Sequence, residues 1–331
     1  MLSSNTSSIK KGAILLVGGM GTRLQPLTLQ TPKPMLPVAG VPFTEHQIVK
    51  AREAGISEIV LATSFKAELF EPYFGDGSKF GIEIKYAVEK QALGTGGAIR
   101  NAAQYLGEVD QVAIFNGDVL SGHDLVAQFD FHQDKGADVT LFLTKVPDAR
   151  AFGAVEMDPE FAVTAFNEKM ENPPTNTINA GCYIFNRQTI NLIPSDRVVS
   201  VERETFPELL ASGAKVFGFV DTSYWLDIGT PAALLKASQD LIAGKITSAA
   251  TPKHQGLYLS LPGAEISPDA TVAGYTVVGA RAVVGARAEV TGCVLNDGAR
   301  IGARAKLTNC FVAAGVEIPD ATIAEGAFFG Y

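Results

Sequence analysis

Cysteine and histidine are scarce in this sequence: three Cys (Cys182, Cys293, Cys310) and four His (His46, His123, His132, His254). No CxxC spacing occurs and too few histidines accompany the thiols for a zinc site, so the cysteines read as reduced, buried thiols. Long hydrophobic runs are missing as well. Nothing approaches the roughly eighteen apolar residues of a membrane span, and the opening MLSSNTSSIK lacks the apolar stretch of a signal peptide. These absences point to a cytoplasmic protein that does not engage membranes, with residues 1–8 a disordered polar tail. Positive charge is also in deficit. A formal net charge of −8 argues against nucleic-acid binding, whose electrostatic footprint is basic, but leaves room for a local basic pocket that takes phosphorylated small molecules. What is present is ordinary globular composition: 47% hydrophobic and 19% charged over 331 residues, enough for a large domain plus a smaller one.

From Gly12 to about Ala243, short apolar runs alternate with longer amphipathic stretches. AILLV (13–17), EIVLAT (58–63), EIKYAV (83–88), QVAIFN (111–116) and DVTLFLTKV (138–146) read as strands. TEHQIVKAREAG (44–55) and GTGGAIRNAAQYL (94–106) have helical spacing. Strands separated by helices imply βαβ units, a largely parallel sheet, and ligands at the carboxyl ends of the strands. The tail differs. Apolar residues recur every six positions at Ile266, Val272, Val278, Val284 and Val290, slip by one residue, and resume at Leu295, Ile301 and Leu307, with a second slip before Val312 and Ile318. Small residues precede them (Ala270, Ala282, Ala288, Ala299, Ala305) and Gly follows at 279, 285 and 302. This is the hexapeptide pattern of a parallel β-helix, each short strand forming one side of a triangular coil. The expected division is a catalytic domain over 9–243, a linker over 244–256 and repeats over 257–331.

The strongest local signal is LLVGGMGTRLQPLTLQTPKPMLPVAG (15–40). A buried strand runs into Gly18, Gly19 and Gly21, where backbone N–H groups can approach a ligand with no Cβ in the way. It is not a P-loop, since no G-x-x-x-x-G-K-[ST] occurs. A dinucleotide fold would continue straight into a helix, whereas Pro26 and the Thr31-Pro32-Lys33-Pro34 run force an extended loop. Arg23 and Lys33 sit on that stiffened loop, an arrangement suited to a triphosphate. With these residues in place, the segment resembles the G-G-x-G-T-R-L-x-P-L-T…P-K-P signature of sugar-1-phosphate nucleotidyltransferases. Val17 departs from the Ala more usual there, a change between small apolar residues.

The resemblance extends over nearly the whole chain. It implies a Rossmann-like, mostly parallel mixed sheet (the nucleotidyltransferase fold) followed by a left-handed parallel β-helix. It assigns Leu16, Gly18, Gly19, Gly21, Thr22, Arg23, Lys33, Gly94, Thr95 and Asp118 to the nucleotide. FNGDVL (115–120) and YWLDIGTPAAL (224–234) resemble the two metal motifs, making Asp118 and Asp227 ligands of Mg²⁺. Read from the residues alone, Asn116-Gly117-Asp118 is a tight turn past a buried strand, and Asp227 could open a helix ahead of Pro231. FGAV (152–155), FNEKMENP (166–173) and INAGCYIF (178–185) resemble the sugar-phosphate half, with Glu168 and Asn179 on sugar hydroxyls, Gly153 and Gly181 admitting the ring, and Lys169 on the phosphate. Without the resemblance, Glu168–Lys169 is a solvated surface pair and Gly94-Thr95 a plain helix start.

INAGCYIF, SVERETFPELL (200–210) and the short repeat tail look most like the mannose-1-phosphate guanylyltransferase branch, implying GTP and a sugar-1-phosphate as substrates. UTP- or dTTP-dependent relatives acting on glucose-1-phosphate or an amino-sugar-1-phosphate share the catalytic residues and remain the alternative. So does a non-catalytic regulatory subunit, which would be expected to lack some of Arg23, Lys33, Asp118, Lys169 and Asp227; all five are present. An added acyltransferase activity in the repeats would need a His base, and the repeats contain none. The terminal AEGAFFGY (324–331) reads either as a frayed end or as a cap that buries the last coil against the catalytic domain or a neighbouring subunit, and the expected state is a homo-oligomer, a dimer or tetramer.

Overall fold

The computed structural model describes residues 9–64, 66–195, 197–254 and 256–331, so the tail read as disordered (1–8) lies outside the described residues. The chain forms two compact units. One runs through Gly19 and continues over Lys50–Val119 and His123–Trp225; the other gathers Met20–Val49, Leu120–Gly122 and Leu226–Tyr331.

The first unit is built on a nine-stranded sheet: β1 (Lys11–Leu16), β2 (Glu58–Thr63), β3 (Glu83–Val88), β4 (Gln111–Asn116), β5 (Val139–Lys145), β6 (Gly153–Met157), β7 (Val163–Glu168), β8 (Thr177–Asn186) and β9 (Val216–Val220). Its order is β7-β6-β8-β4-β1-β2-β3, with β5 pairing both β8 and β9. The β3-β2-β1-β4 half is parallel, whereas β8 runs antiparallel to β4, β5 and β6. The central parallel strands β1, β2 and β4 read as apolar runs because both faces are covered: every residue of β2 is buried, whereas the edge strand β3 is exposed at both ends. Ile14, Val60, Ile114, Leu141, Phe185 and Phe206 belong to one continuous core.

In the second unit, the parallel β-helix begins at Tyr258–Ser260. Ile266 pairs with Val284, Val284 with Ile301 and Ile301 with Ile318, so the six-residue period stacks like on like. The slip after Val290 lies at a corner: the first crossing spends two left-handed residues, Gly274 and Tyr275, while the next uses Gly292 alone. Val278, Leu295 and Val312 fill the interior with Ala282, Ala299, Cys293 and Cys310. All three cysteines are free and buried, and the Cys310 N–H donates to Cys293 Sγ at 3.3 Å. At the terminus, the Phe328 ring stacks on Phe311 at 5.5 Å, Phe329 packs against the interior, and Asn296 Nδ2 donates to the Tyr331 hydroxyl at 2.7 Å. The aromatic end is therefore not frayed; it closes on its own preceding coil.

Candidate active site

In the first unit the strand order reverses between β1 and β4: the chain leaves β1 toward β2 on one side and returns to β4 on the other. In an open α/β sheet that reversal leaves a crevice at the carboxyl ends of the two strands. Leu16 and Asn116 are register partners there; β4 exits directly into Gly117, and β1 exits through buried Val17 into Gly18. The Gly117 N–H donates to the Leu16 carbonyl at 3.0 Å, and a Cβ on Gly117 would lie 2.3 Å from that oxygen, so no other residue fits. Asp118 follows, half-buried. On the β1 side, Ser64 Oγ donates to the Gly18 carbonyl at 2.6 Å, whereas a Cβ on Gly19 would meet nothing within 4 Å. Leu16, Gly18, Gly19 and Asp118 thus lie at or just past the carboxyl ends of the adjacent strands β1 and β4.

The sugar-phosphate candidates lie on β6, β7 and β8 of the same sheet. Gly153 is the register partner of Glu168, and a Cβ there would lie 2.9 Å from the Glu168 carboxylate. The Glu168 side chain is only 17% exposed against 60% for Lys169, their charges 3.5 Å apart. That asymmetry is not a solvated surface pair: one member is turned inward. Lys169 also holds φ 44°, a left-handed backbone costing about 1–2 kcal/mol for a residue with a Cβ, of the kind that clusters at functional sites. In β8 the ladder to β5 shifts register between Asn179 and Tyr183, and Gly181 takes φ 79°. Asn179 Oδ1 accepts from the Gly181 N–H at 3.1 Å, and Asn179 Nδ2 donates to the Tyr183 hydroxyl at 2.8 Å. The bulge thereby orients Asn179 and places Gly181 beside Asn116.

Gly94 opens the Gly94–Ala102 helix with φ 73°. A Cβ there would lie 2.4 Å from the Val199 carbonyl, so the protein's own backbone already requires the glycine. Thr95 Oγ1 donates to Glu202 at 2.8 Å and accepts from the Val201 N–H at 2.9 Å. Glu202, which the sequence reading did not single out, sits in a π-turn over Val201–Thr205, a geometry frequent at functional sites. No local sequence pattern marks a π-turn, and the Thr95–Glu202 pair spans 107 residues.

The second unit holds Gly21, Thr22, Arg23, Lys33 and Asp227. Instead of one extended stretch, the loop makes two single 3₁₀ turns, Thr22–Leu24 and Lys33–Met35. Buried Leu24 pins the first turn and Thr28 Oγ1 donates to the Gly21 carbonyl at 3.0 Å. The Lys33 stem closes on Gly21: a Cβ there would be 2.9 Å from Lys33 Cβ. Arg23 lies over the Asp227-Ile228-Gly229 turn, its guanidinium 2.9–3.0 Å from where a Gly229 Cβ would sit. Asp227 closes the strand Trp225–Asp227, and the helix Pro231–Ile242 is opened by Thr230, whose side chain accepts from the Ala233 N–H. Of the two readings open for Asp227, helix opening therefore belongs to Thr230. Among the described residues, no three His, Cys, Asp or Glu side chains gather into a self-sufficient metal cage, and no helix is long and apolar enough to cross a membrane.

The glycine-lined strand ends and the carboxylate past β4 in the first unit, and separately the Arg23–Lys33 loop of the second, each suit phosphate esters, and the comparisons agree on the family. The chain is 51% identical over 289 residues to a mannose-1-phosphate guanylyltransferase of Mycobacterium tuberculosis, covering 87% of this chain and 80% of the relative. It is 33% identical over 296 residues to a probable mannose-1-phosphate guanylyltransferase 2 of Oryza sativa, covering 87% and 79%. Among solved structures, HddC from Yersinia pseudotuberculosis, described complexed with GMP-PN, superposes with a TM-score of 0.60 at 28% identity, covering 70% of this chain and 100% of that one. Residues 12–244 match the Nucleotidyl transferase family, and from that match and the strand-end glycines together it follows that this chain belongs to the nucleotidyltransferases.

Proposed function

We propose that this protein joins GTP to mannose-1-phosphate, forming GDP-mannose and pyrophosphate in the cytoplasm. The observation that carries the reading is the extensive identity to the mycobacterial guanylyltransferase. Residues 9–243 form the catalytic domain, 244–256 the linker and 257–331 the repeats. The sugar-phosphate oxygen attacks the α-phosphorus in line while pyrophosphate departs, a reaction governed by positioning and charge neutralisation. Gly18, Gly19, Gly21 and Thr22 cradle the triphosphate, Lys33 clamps its oxygens as a point charge, and Arg23 meets the charge developing on pyrophosphate. Lys169 holds the attacking phosphate, Glu168 and Asn179 bind sugar hydroxyls, Gly153 and Gly181 make room for the ring, and Gly94 and Thr95 lie toward the base. The attacking phosphate is already ionised, so no residue need act as a base. Asp118 and Asp227, hard oxygen donors at strand ends, suit Mg²⁺, which takes one or two carboxylates plus substrate oxygens; when bound, the ion neutralises charge on the α-phosphate.

A pyrophosphate-release screen of the common nucleoside triphosphates against a panel of sugar-1-phosphates tests this directly. GTP with mannose-1-phosphate should give the highest kcat/KM. A higher value for UTP or dTTP with any sugar phosphate would replace the substrate pair and keep the class, and silence toward all pairs would favour a regulatory subunit.

The same chain assembles as a homo-oligomer, a dimer or tetramer, through its repeats. Support comes from the coil that carries Ile323–Glu325 and Phe328–Phe329, where Ile323 is 79% exposed and Phe328 36%. Light scattering should give a multiple of 35.0 kDa; a monomer at micromolar concentration refutes the assembly.

A further inference from the structure

The second unit ties the phosphate loop to segments two hundred residues downstream, through side chains the chemistry does not use. Beyond Lys33 the loop forms a small hairpin, Pro37–Val38 against Val41–Pro42, and three contacts hold it. The Ala39 N–H donates to Ser238 Oγ at 3.0 Å; Ser238 lies on the Pro231–Ile242 helix and is buried. Gly40, at φ 84°, faces Leu259 and Leu261 of the first β-helix coil so closely that a Cβ would meet their methyls at 3.1–3.3 Å. Buried His46 bridges the third contact, with Nε2 at 3.0 Å from the Val38 carbonyl and Nδ1 at 2.7 Å from Ser248 Oγ.

The chemistry of the partners sets the direction of that bridge. A carbonyl only accepts, so Nε2 carries the proton and Nδ1 accepts from the Ser248 hydroxyl. Burial pushes the imidazole down to about 4, which keeps it neutral and preserves this tautomer near pH 7. The Ser248 oxygen accepts in turn from the Ala250 N–H at 3.3 Å, aiming the hydroxyl proton at the ring.

On its other side the hairpin is continuous with the cationic turn. The Phe43 N–H donates to Leu36 O at 3.0 Å and the Leu36 N–H to Lys33 O at 3.1 Å, while Thr44 Oγ1 donates to Pro34 O at 2.9 Å. Thr44 and His46 share the first turn of the Phe43–Glu53 helix. Movement of the hairpin is thus passed to Lys33, whose stem lies on Gly21.

We propose that Ser248 and Ser238 are positioning residues for the nucleoside triphosphate: the linker and the Pro231–Ile242 helix hold the hairpin in the register that aims Lys33. The inference rests on reading the 18–35 loop as the triphosphate cradle. A binding group held in place beforehand does not have to be ordered when the ligand arrives, so two hydroxyls outside the site can govern affinity.

The test measures KM for each substrate in Ser248→Ala, Ser238→Ala and Ser248→Thr, with whichever triphosphate and sugar phosphate the wild-type enzyme uses best. Both alanine variants should raise KM for the triphosphate roughly tenfold, the effect of one lost hydrogen bond, with KM for the sugar phosphate unchanged. Ser248→Thr, which keeps the hydroxyl, should restore the wild-type value. Calorimetric titration of the same triphosphate without sugar phosphate should show matching weakening, so that even a variant with slow chemistry gives an answer. Equal shifts in both KM values, a lowered Tm with unchanged triphosphate binding, or a threonine variant that behaves like alanine would each overturn the positioning role. A wild-type enzyme that turns over no pair would instead refute the proposed reaction.

Discussion

Replacing either Asp118 or Asp227 by Asn should cut turnover by roughly a thousandfold or more, with the fold retained. Asn keeps the shape and removes the charge, so the backbone approach of Gly117 to Leu16, which a Cβ of any kind would block, is untouched. Asp118 and Asp227 are both half-buried. Circular dichroism and Tm close to wild type, together with lost activity at millimolar Mg²⁺, are the expected results. Near-wild-type rates in either folded variant would remove that carboxylate from the metal assignment.

The second large effect separates two cations. Arg23→Ala should lower kcat by roughly a hundred- to a thousandfold while leaving sugar-phosphate KM nearly unchanged, because its partner charge develops only as pyrophosphate leaves. Lys169→Ala should raise KM for the sugar phosphate instead. Both side chains are exposed, so neither variant should lose much stability. The Arg23 guanidinium lies on the Gly229 face of the Asp227 turn, and Gly229→Ala should reproduce part of the Arg23 defect by displacing it. Steady-state constants for both substrates decide the matter, and a reversed pattern would exchange the two roles.

Much of this is legible in the amino-acid sequence. EIVLAT, EIKYAV and QVAIFN become strands with the same ends as the runs that suggested them; the first and last are apolar runs buried on both faces, while EIKYAV, at the sheet edge, buries only alternate positions such as Ile84 and Ala87. The hexapeptide phase is visible because identical sides repeat identical chemistry, and even its slip marks the corner at Gly292. The spacing from Gly94 to Leu106 predicts one helix, yet the regular helix ends at Ala102 and continues as a 3₁₀ turn, Ala103–Tyr105; nothing in the Ala-Ala-Gln sequence signals that tightening. The bulge that orients Asn179 depends on which strand faces β8, and the Glu202 contact with Thr95 on a fold-back of more than a hundred residues. Such pairings leave no periodicity in the local sequence. His46 illustrates the limit: alone it is one histidine on a helix, and its meaning lies in Val38 and Ser248.

The loop that opens the chain is therefore finished late in synthesis. Its hydrogen bonds to Ser238 and from Ser248 through His46 span 199 and 202 residues. At a translation rate of 5–20 residues per second, Gly21, Arg23 and Lys33 leave the ribosome about 10–40 s before the groups that fix their hairpin. During that interval β1, β2 and β4 can pair, since all three are made within the first 116 residues, while the hairpin has no helix or coil to lean on. Long-range closures of this kind are slow steps in folding. On the proposed reading of the 18–35 loop as the triphosphate cradle, nucleotide should begin to protect the nascent chain from proteolysis only after the first coil of the β-helix has emerged.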